Sequence, residues 1–251
     1  MTKIIMNGCS GKMGHVVCSL VAEDKDCEIV AGIDPFGESK DFPIFRTPSE
    51  CNIDADVIID FSTAKAIPAL LDFVEERKIP VVLCTTGLDE ELLKRVDEVS
   101  KKVAILKSAN MSIGVNLLFA LVQKAALALQ DSGFDIEIVE KHHNQKIDAP
   151  SGTALMLADA ICEVTPQPMK YEYDRHSKRE KRTKNEIGLH AVRGGTIVGE
   201  HEIIFAGRDE IITLSHSARS KEIFAVGAVN AAVYMCGKDA GMYDMKELIN
   251  N

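Results

Sequence analysis

From Lys3 to Leu106, short runs rich in Val and Ile alternate with stretches of helical spacing, and this alternation constrains the fold more than any other feature of the chain. Lys3–Asn7, Glu28–Asp34, Asp56–Phe61, Pro80–Cys84 and Val103–Leu106 read as strands. Met13–Val21, Ala64–Arg77 and Asp89–Lys101 read as helices between them. The strand runs are apolar almost throughout, which suits strands buried on both faces. Helical connections of this length imply right-handed crossovers between parallel strands. The expectation is an α/β fold whose N-terminal part is a Rossmann-type, doubly wound, mostly parallel sheet.

The pattern changes after Ile113. A long helix is predicted over Ser112–Gln130, then a strand over Phe134–Val139 and a helix over Thr153–Glu163. Thr165–Lys184 is polar and ends in a basic run, Arg175–Lys184, that reads as a solvated loop because like charges repel. An anion-binding flap is the other reading. Gly188–Val192, Thr196–Phe205 and Glu210–His216 are closely spaced strand candidates with glycine turns, expected to form an antiparallel set. Ile223–Cys236 returns to helical spacing and is expected to pack back on the first domain. The domains are therefore predicted as residues 1–112 with 218–251, and 113–217.

Composition excludes several classes. A net charge of −9 and the absence of Trp argue against a nucleic-acid or anionic-membrane partner. Seven scattered Cys, an odd number with no Cys-x-x-Cys pair, argue against a disulfide framework or structural zinc and for reduced thiols in the cytoplasm. The start, Met-Thr-Lys-Ile-Ile-Met-Asn-Gly, enters a strand at once and is not a signal peptide. The most apolar stretch, Ile113–Leu129, contains Asn116, Gln123 and Lys124 and is expected to be a buried helix, not a membrane span.

The loop Gly8-Cys9-Ser10-Gly11-Lys12-Met13-Gly14 follows the first strand and opens the first helix. Glycine allows a tight turn and close approach to a phosphate, and the helix N-terminus offers free N–H groups to a pyrophosphate. Asp34, 20 residues beyond Gly14, is placed to accept from the adenosine ribose hydroxyls. Asp34 favours NADH, and Lys12 leaves NADPH open. Three further loops end strands of the same sheet: Asp60-Phe61-Ser62, Cys84-Thr85-Thr86-Gly87 and Ser108-Ala109-Asn110-Met111. Their small and hydroxyl side chains suit contact with ribose and nicotinamide amide.

Residues 137–154 read Glu-Ile-Val-Glu-Lys-His-His-Asn-Gln-Lys-Ile-Asp-Ala-Pro-Ser-Gly-Thr-Ala and lie between a strand and a helix. His142 and His143 are adjacent, so on an extended chain they point to opposite sides and take different roles. Lys146 adds an ammonium beside the histidines; it also reads as a Schiff-base lysine or a surface residue. Ser151-Gly152-Thr153 has the form of an N-cap, whose N–H groups and Thr153 hydroxyl suit a carboxylate. A third metal ligand at suitable spacing is lacking, so no metal is expected. The combination suggests an acid/base site that holds a carboxylate.

The segment is similar to the signature of the 4-hydroxy-tetrahydrodipicolinate (dihydrodipicolinate) reductase family. Glu137, Ile138, Glu140, His142, Lys146, Asp148, Pro150, Ser151, Gly152, Thr153 and Ala154 fill its fixed positions. The resemblance extends to the glycine loop, Asp60-Phe61-Ser62, Thr85-Thr86-Gly87, Ala109-Asn110-Met111-Ser112, Arg193-Gly194-Gly195, Gly199-Glu200-His201 and the C-terminal helix. It implies a second, α+β substrate and oligomerisation domain with an open mixed sheet, a homotetramer, and NADH- or NADPH-dependent reduction of a cyclic dicarboxylate in the diaminopimelate route to lysine. By position it implies His142 as acid/base, Lys146 as proton donor, and His143, Gly152 and Thr153 as substrate-binding. Gly8, Cys9, Ser10, Gly11, Lys12, Met13, Asp34, Cys84, Thr85, Thr86, Ser108, Ala109, Asn110 and Met111 would meet the cofactor. Members with Arg directly after the acidic residue grip a 2′-phosphate; here Pro35 and Phe36 stand there, so NADH is expected to serve at least as well as NADPH. The alternatives are a two-domain dehydrogenase of the aspartate or homoserine type, a non-catalytic dinucleotide-binding redox sensor, and a Schiff-base lyase using Lys146.

Overall fold

The structure, a computed structural model, describes residues 1–39, 41–129 and 131–249. The chain divides into two compact units, Met1–Ile113 with Glu222–Asn251, and Gly114–Lys221. The second crossing thus falls after Lys221, because the last strand of the second unit runs on through Ala218.

In the first unit, β1 (Thr2–Asn7), β2 (Cys27–Ile33), β3 (Ile44–Phe45), β4 (Val57–Asp60), β5 (Val81–Leu83), β6 (Ala104–Lys107) and β12 (Gly241–Tyr243) form one sheet. Its order is β12-β6-β5-β4-β1-β2-β3, and every pairing is parallel. The helices are α1 (Lys12–Glu23), α2 (Ile67–Arg77), α3 (Glu90–Ser100), α6 (Glu222–Met235) and the short α7 (Met245–Ile249). Period-two alternation sorts each strand between two cores. Ile4, Met6, Val57, Ile59 and Val82 pack with α1 and α6, while Ile5, Ile58, Val81 and Leu83 pack with α2 and α3. This double burial explains the unbroken apolar runs. Two short strands, β3 and β12, and helix α7 were beyond the reach of the periodicity, being only two to five residues long. The strand order reverses at β1, and ligands of open α/β sheets bind at the carboxyl ends of strands beside such a switch point.

In the second unit, β7 (Asp135–His142), β8 (Lys170–Glu172), β9 (Glu186–Arg193), β10 (Gly199–Ala206) and β11 (Ile211–Ala218) form a mixed sheet of order β11-β10-β7-β9-β8. Helices α4 (Ile113–Leu129) and α5 (Gly152–Val164) share a core with Ile136, Ile138, Ile187, Leu189, Ile203 and Phe205. The alternate residues of β7 and β10, among them Glu137, Val139, Lys141, Glu202 and Ile204, are only half-buried. The helix predicted over Ser112–Gln130 is α4, and Gln130 lies outside the described residues.

Two expectations are corrected. The last three long strands are not a simple antiparallel set: β10 pairs antiparallel with β7 and β11, but β9 lies on the other side of β7 and runs parallel to it. The glycine turn after Arg193 therefore carries the chain past β7 and does not close a hairpin. Nor is the basic run merely solvated. Arg175 pairs with Glu186 and Lys178 with Glu172. The Arg182 guanidinium donates to Asp135 Oδ1 at 2.7 Å, Glu137 Oε1 at 3.0 Å, the Ile136 carbonyl at 3.0 Å and the Glu186 carbonyl at 2.6 Å. Acidic residues of β8 and β9 that flank the run, and of β7, distant in sequence, offset the like-charge repulsion.

Candidate active site

In the first unit the chain turns from β1 into α1 through the glycine loop. Gly8 adopts φ +81°, and a Cβ on Gly14 would stand 2.2 Å from the Gly8 carbonyl oxygen. Only glycine allows that left-handed bend and that contact at little cost. Gly11 caps α1 without any side-chain hydrogen bond, whereas Asp89 caps α3 and Ser151 caps α5. The first-turn N–H groups of α1 are therefore available to an anion, as a pyrophosphate requires. The Asp34 carboxylate accepts from the N–H of Ser10 at 3.1 Å and of Phe36 at 2.9 Å, which ties the end of β2 to the glycine loop. Each oxygen keeps a further lone pair for a ribose hydroxyl. These residues fit a dinucleotide.

The remaining loops follow β4, β5 and β6 at the same edge, and fully buried Asp60 ties the first two of them to the end of β1. It accepts from Asn7 Nδ2 at 2.7 Å, Ser62 Oγ at 2.5 Å and Thr85 Oγ1 at 2.6 Å. Burial pushes its carboxyl up, and these hydrogen bonds oppose the shift. The Thr85 hydroxyl, expected to meet the cofactor, is thus committed to Asp60. Cys9, Cys84 and Met111 likewise turn their side chains into the core. Ser108 Oγ donates to the Asn110 carbonyl at 2.9 Å, shaping its own loop. Thr86, Lys12 and Ala109 are exposed.

In the second unit the segment of residues 137–154 begins inside β7. Period two puts Ile136, Ile138, Glu140 and His142 on the helix-covered face, so a carboxylate and an imidazole continue an apolar row. Glu140 is completely buried. Its carboxylate lies 2.6 Å from His142 Nδ1, receives both terminal nitrogens of Arg193 at 2.7 Å, and accepts from the Ser151 N–H at 2.9 Å. Burial raises the pKa of Glu140, but the hydrogen bonds from Arg193, His142 and Ser151 and the guanidinium charge outweigh it and hold the carboxyl below its usual range. An ionised Glu140 accepts the hydrogen bond from His142 Nδ1–H, which orients the ring and leaves Nε2 uncommitted to Glu140. His142 is buried and His143 half-exposed.

Lys146 Nζ stands 2.8 Å from Asp148, whose carboxyl is held below its ordinary range by that hydrogen bond and charge. Ser151 is the N-cap of α5, its Oγ accepting from the Ala154 N–H at 3.2 Å. The same Oγ shares a hydrogen bond of 3.0 Å with His201 Nε2, and the His201 ring meets the His142 ring edge-on with centroids 5.2 Å apart. Gly152 opens the helix with nothing within 4 Å of where a Cβ would be. Among the described residues no group of three or more His, Cys, Asp or Glu is arranged to hold a metal ion.

The resemblance includes Glu140, Arg193 and His201 without implying a role for them. The period-two spacing from Glu140 to His142 was a usable signal. Arg193 and His201 had none, because only the register, His142 opposite Arg193 and Glu140 opposite His201, brings them in.

Comparison with known proteins agrees along the whole chain. Residues 2–111 match the family described as dihydrodipicolinate reductase, N-terminus, and residues 114–249 its C-terminus. A relative from Caldanaerobacter subterraneus subsp. tengcongensis, named 4-hydroxy-tetrahydrodipicolinate reductase, is 55% identical over 99% of this chain and 98% of its own. One of the same name from Clostridium novyi is 50% identical over 100% and 99%. A solved structure, dipicolinate-bound dihydrodipicolinate reductase from Paenisporosarcina sp. TG-14, superposes with a TM-score of 0.83 at 25% identity, covering 98% of this chain and 99% of that one. The chain belongs to the dihydrodipicolinate reductase family.

Proposed function

We propose that the protein reduces 4-hydroxy-tetrahydrodipicolinate to tetrahydrodipicolinate in the diaminopimelate route of lysine biosynthesis, the 4-hydroxyl leaving as water and NADH or NADPH serving as reductant. The observation that carries the reading is the end of β7, where buried Glu140, clamped by Arg193, orients His142 just ahead of Lys146 and the N-terminus of α5. The names of relatives sharing about half of its residues support it.

A reduced nicotinamide, when bound, supplies the hydride. The glycine loop and the free N–H groups of α1 hold the pyrophosphate, and Asp34 the ribose. Pro35 after Asp34 supplies no cation, so NADH serves at least as well as NADPH. On the substrate side, the N–H groups of Gly152 and Thr153 and the His143 ring bind the two carboxylates. As the ring gains electron density, the Lys146 ammonium offsets the developing negative charge. His142 Nε2 and Lys146 Nζ are the groups that deliver the proton. Pairing with Asp148 keeps Lys146 oriented until substrate arrives.

The half-buried outer face of the second sheet suits pairing with other copies, and we propose a homotetramer built on it. The free thiols and the biosynthetic role support the cytoplasm as its compartment; among the described residues no helix is long and apolar enough to cross a membrane.

The test is a coupled assay with aspartate semialdehyde, pyruvate and the upstream synthase, followed as loss of reduced-nicotinamide absorbance with each nucleotide. Turnover with NADH at a kcat/KM no lower than with NADPH is expected. Absence of turnover with both would overturn the reading, and a strong NADPH preference would overturn the inference from Pro35.

A further inference from the structure

We infer that Arg46 is the cation that receives the 2′-phosphate when the cofactor is NADPH. The inference rests on the dinucleotide-binding reading of the first unit and concerns how its adenosine end tells two cofactors apart. A cation for a 2′-phosphate is usually sought immediately after the acidic ribose residue, and here that place is taken by Pro35 and Phe36. The structure supplies the cation from elsewhere. Strand β3 adds to the sheet edge parallel to β2, with Ile33 opposite Phe45. The Asp34 N–H continues the ladder, donating to the Phe45 carbonyl at 2.9 Å. That register sets residue 46 level with the turn at residues 34–36.

Asp34, Pro35, Phe36, Gly37, Glu38, Ile44 and Arg46 together line an open depression of about 500 Å³. The Arg46 N–H is fixed by Glu50 Oε2 at 3.1 Å, which anchors the backbone. Its guanidinium makes no ion pair among the described residues, although Arg77, Arg95, Arg175, Arg182 and Arg193 each pair with a carboxylate of another segment. The Phe36 ring beside it is 87% exposed, a flat apolar surface on which an adenine can stack. Among the described residues, the charged groups within this depression are Asp34, Glu38 and Arg46. Two carboxylates would repel a 2′-phosphate, and Arg46 is the group that offsets them and matches phosphate oxygens with a planar fork of donors. Lys12 does not line the depression; its place at the first turn of α1 assigns it to the pyrophosphate.

The experiment is a calorimetric titration with adenosine 2′,5′-bisphosphate and with 5′-AMP, which differ only in the 2′-phosphate. Wild type, Arg46→Ala and Lys12→Ala are compared. Arg46→Ala is expected to weaken the bisphosphate about ten-fold or more, as loss of a hydrogen-bonded charge does. It should change 5′-AMP by less than two-fold, and that retained binding also reports that the variant is folded. Lys12→Ala should weaken both probes alike. If Arg46→Ala weakens the two probes equally or neither of them, or if Lys12→Ala alone selects against the bisphosphate, the assignment of Arg46 is wrong while the dinucleotide site stands. If neither probe binds the wild type, the dinucleotide reading itself fails, and this inference with it.

Discussion

At the scale of single residues, the second unit holds the imidazole of His142, the proposed acid/base, with charges that are costly to bury. Glu140 and Arg193 form a bidentate pair, and His142 takes its orientation from Glu140. His142→Ala and Lys146→Ala are each expected to lower kcat by roughly 10²-fold, the usual contribution of a positioned acid or base; steady-state turnover near that of wild type would remove the residue from the mechanism. His201 offers a separate test. Burial, helped by the neighbouring His142, lowers its pKa from 6.5 to about 4. The unfolded chain takes up this proton near its ordinary value, and the folded chain resists until about 4. The contribution to stability is therefore full above about pH 6.5 and is lost as pH falls towards 4, amounting to roughly 3 kcal/mol. Urea midpoints measured across that window should fall less steeply for His201→Gln than for wild type. Parallel profiles would show that another group is responsible.

At the scale of elements, both proposed ligand-holding turns run from a strand into a helix, and they differ in their caps. Ser151 covers the N–H of Ala154, and the Asp148 carboxylate lies at the N–H of Gly152, where α5 opens. Gly11 leaves α1 with no side-chain cap at all. That openness depends on Gly14, whose missing Cβ lets the first turn of α1 lie on the Gly8 carbonyl. Gly14→Ala must push the loop outward and is expected to weaken NADH by ten-fold or more in a fluorescence titration, since the pyrophosphate needs close backbone approach. Unchanged affinity would mean that the turn relaxes freely.

At the scale of the whole molecule, each unit resolves its exposed surfaces differently. The first sheet is buried on both faces by helices. The second is covered on one face by α4 and α5, and its other face carries Val139 and Ile204 among the paired charges of Lys141, Glu200 and Glu202. Equilibrium sedimentation is expected to give four times the chain mass of 27.4 kDa. A monomer at micromolar concentration would discard the tetramer and leave that face without its proposed partner.

Much of this was legible in the order of residues. Apolar runs buried on both faces announce a parallel sheet without any knowledge of its neighbours, and the glycine loop, Asp34 and the His142–Thr153 segment are local patterns whose chemistry acts within a few residues. What depends on register was not legible. That β9 runs beside β7, with Arg193 opposite His142, is what lets Arg193 reach Glu140, so that pairing came only with the sheet. That β3 joins the edge at β2 brings Arg46 level with Asp34 across twelve residues of chain. Strand pairing between distant segments is set by the packing of the whole unit, whereas hydrophobic period, turns and caps are set by neighbours in the chain. For that reason the sequence alone determined the parallel sheet and the local segments that bear the chemistry, and only the tertiary structure decided which charges hold them in place.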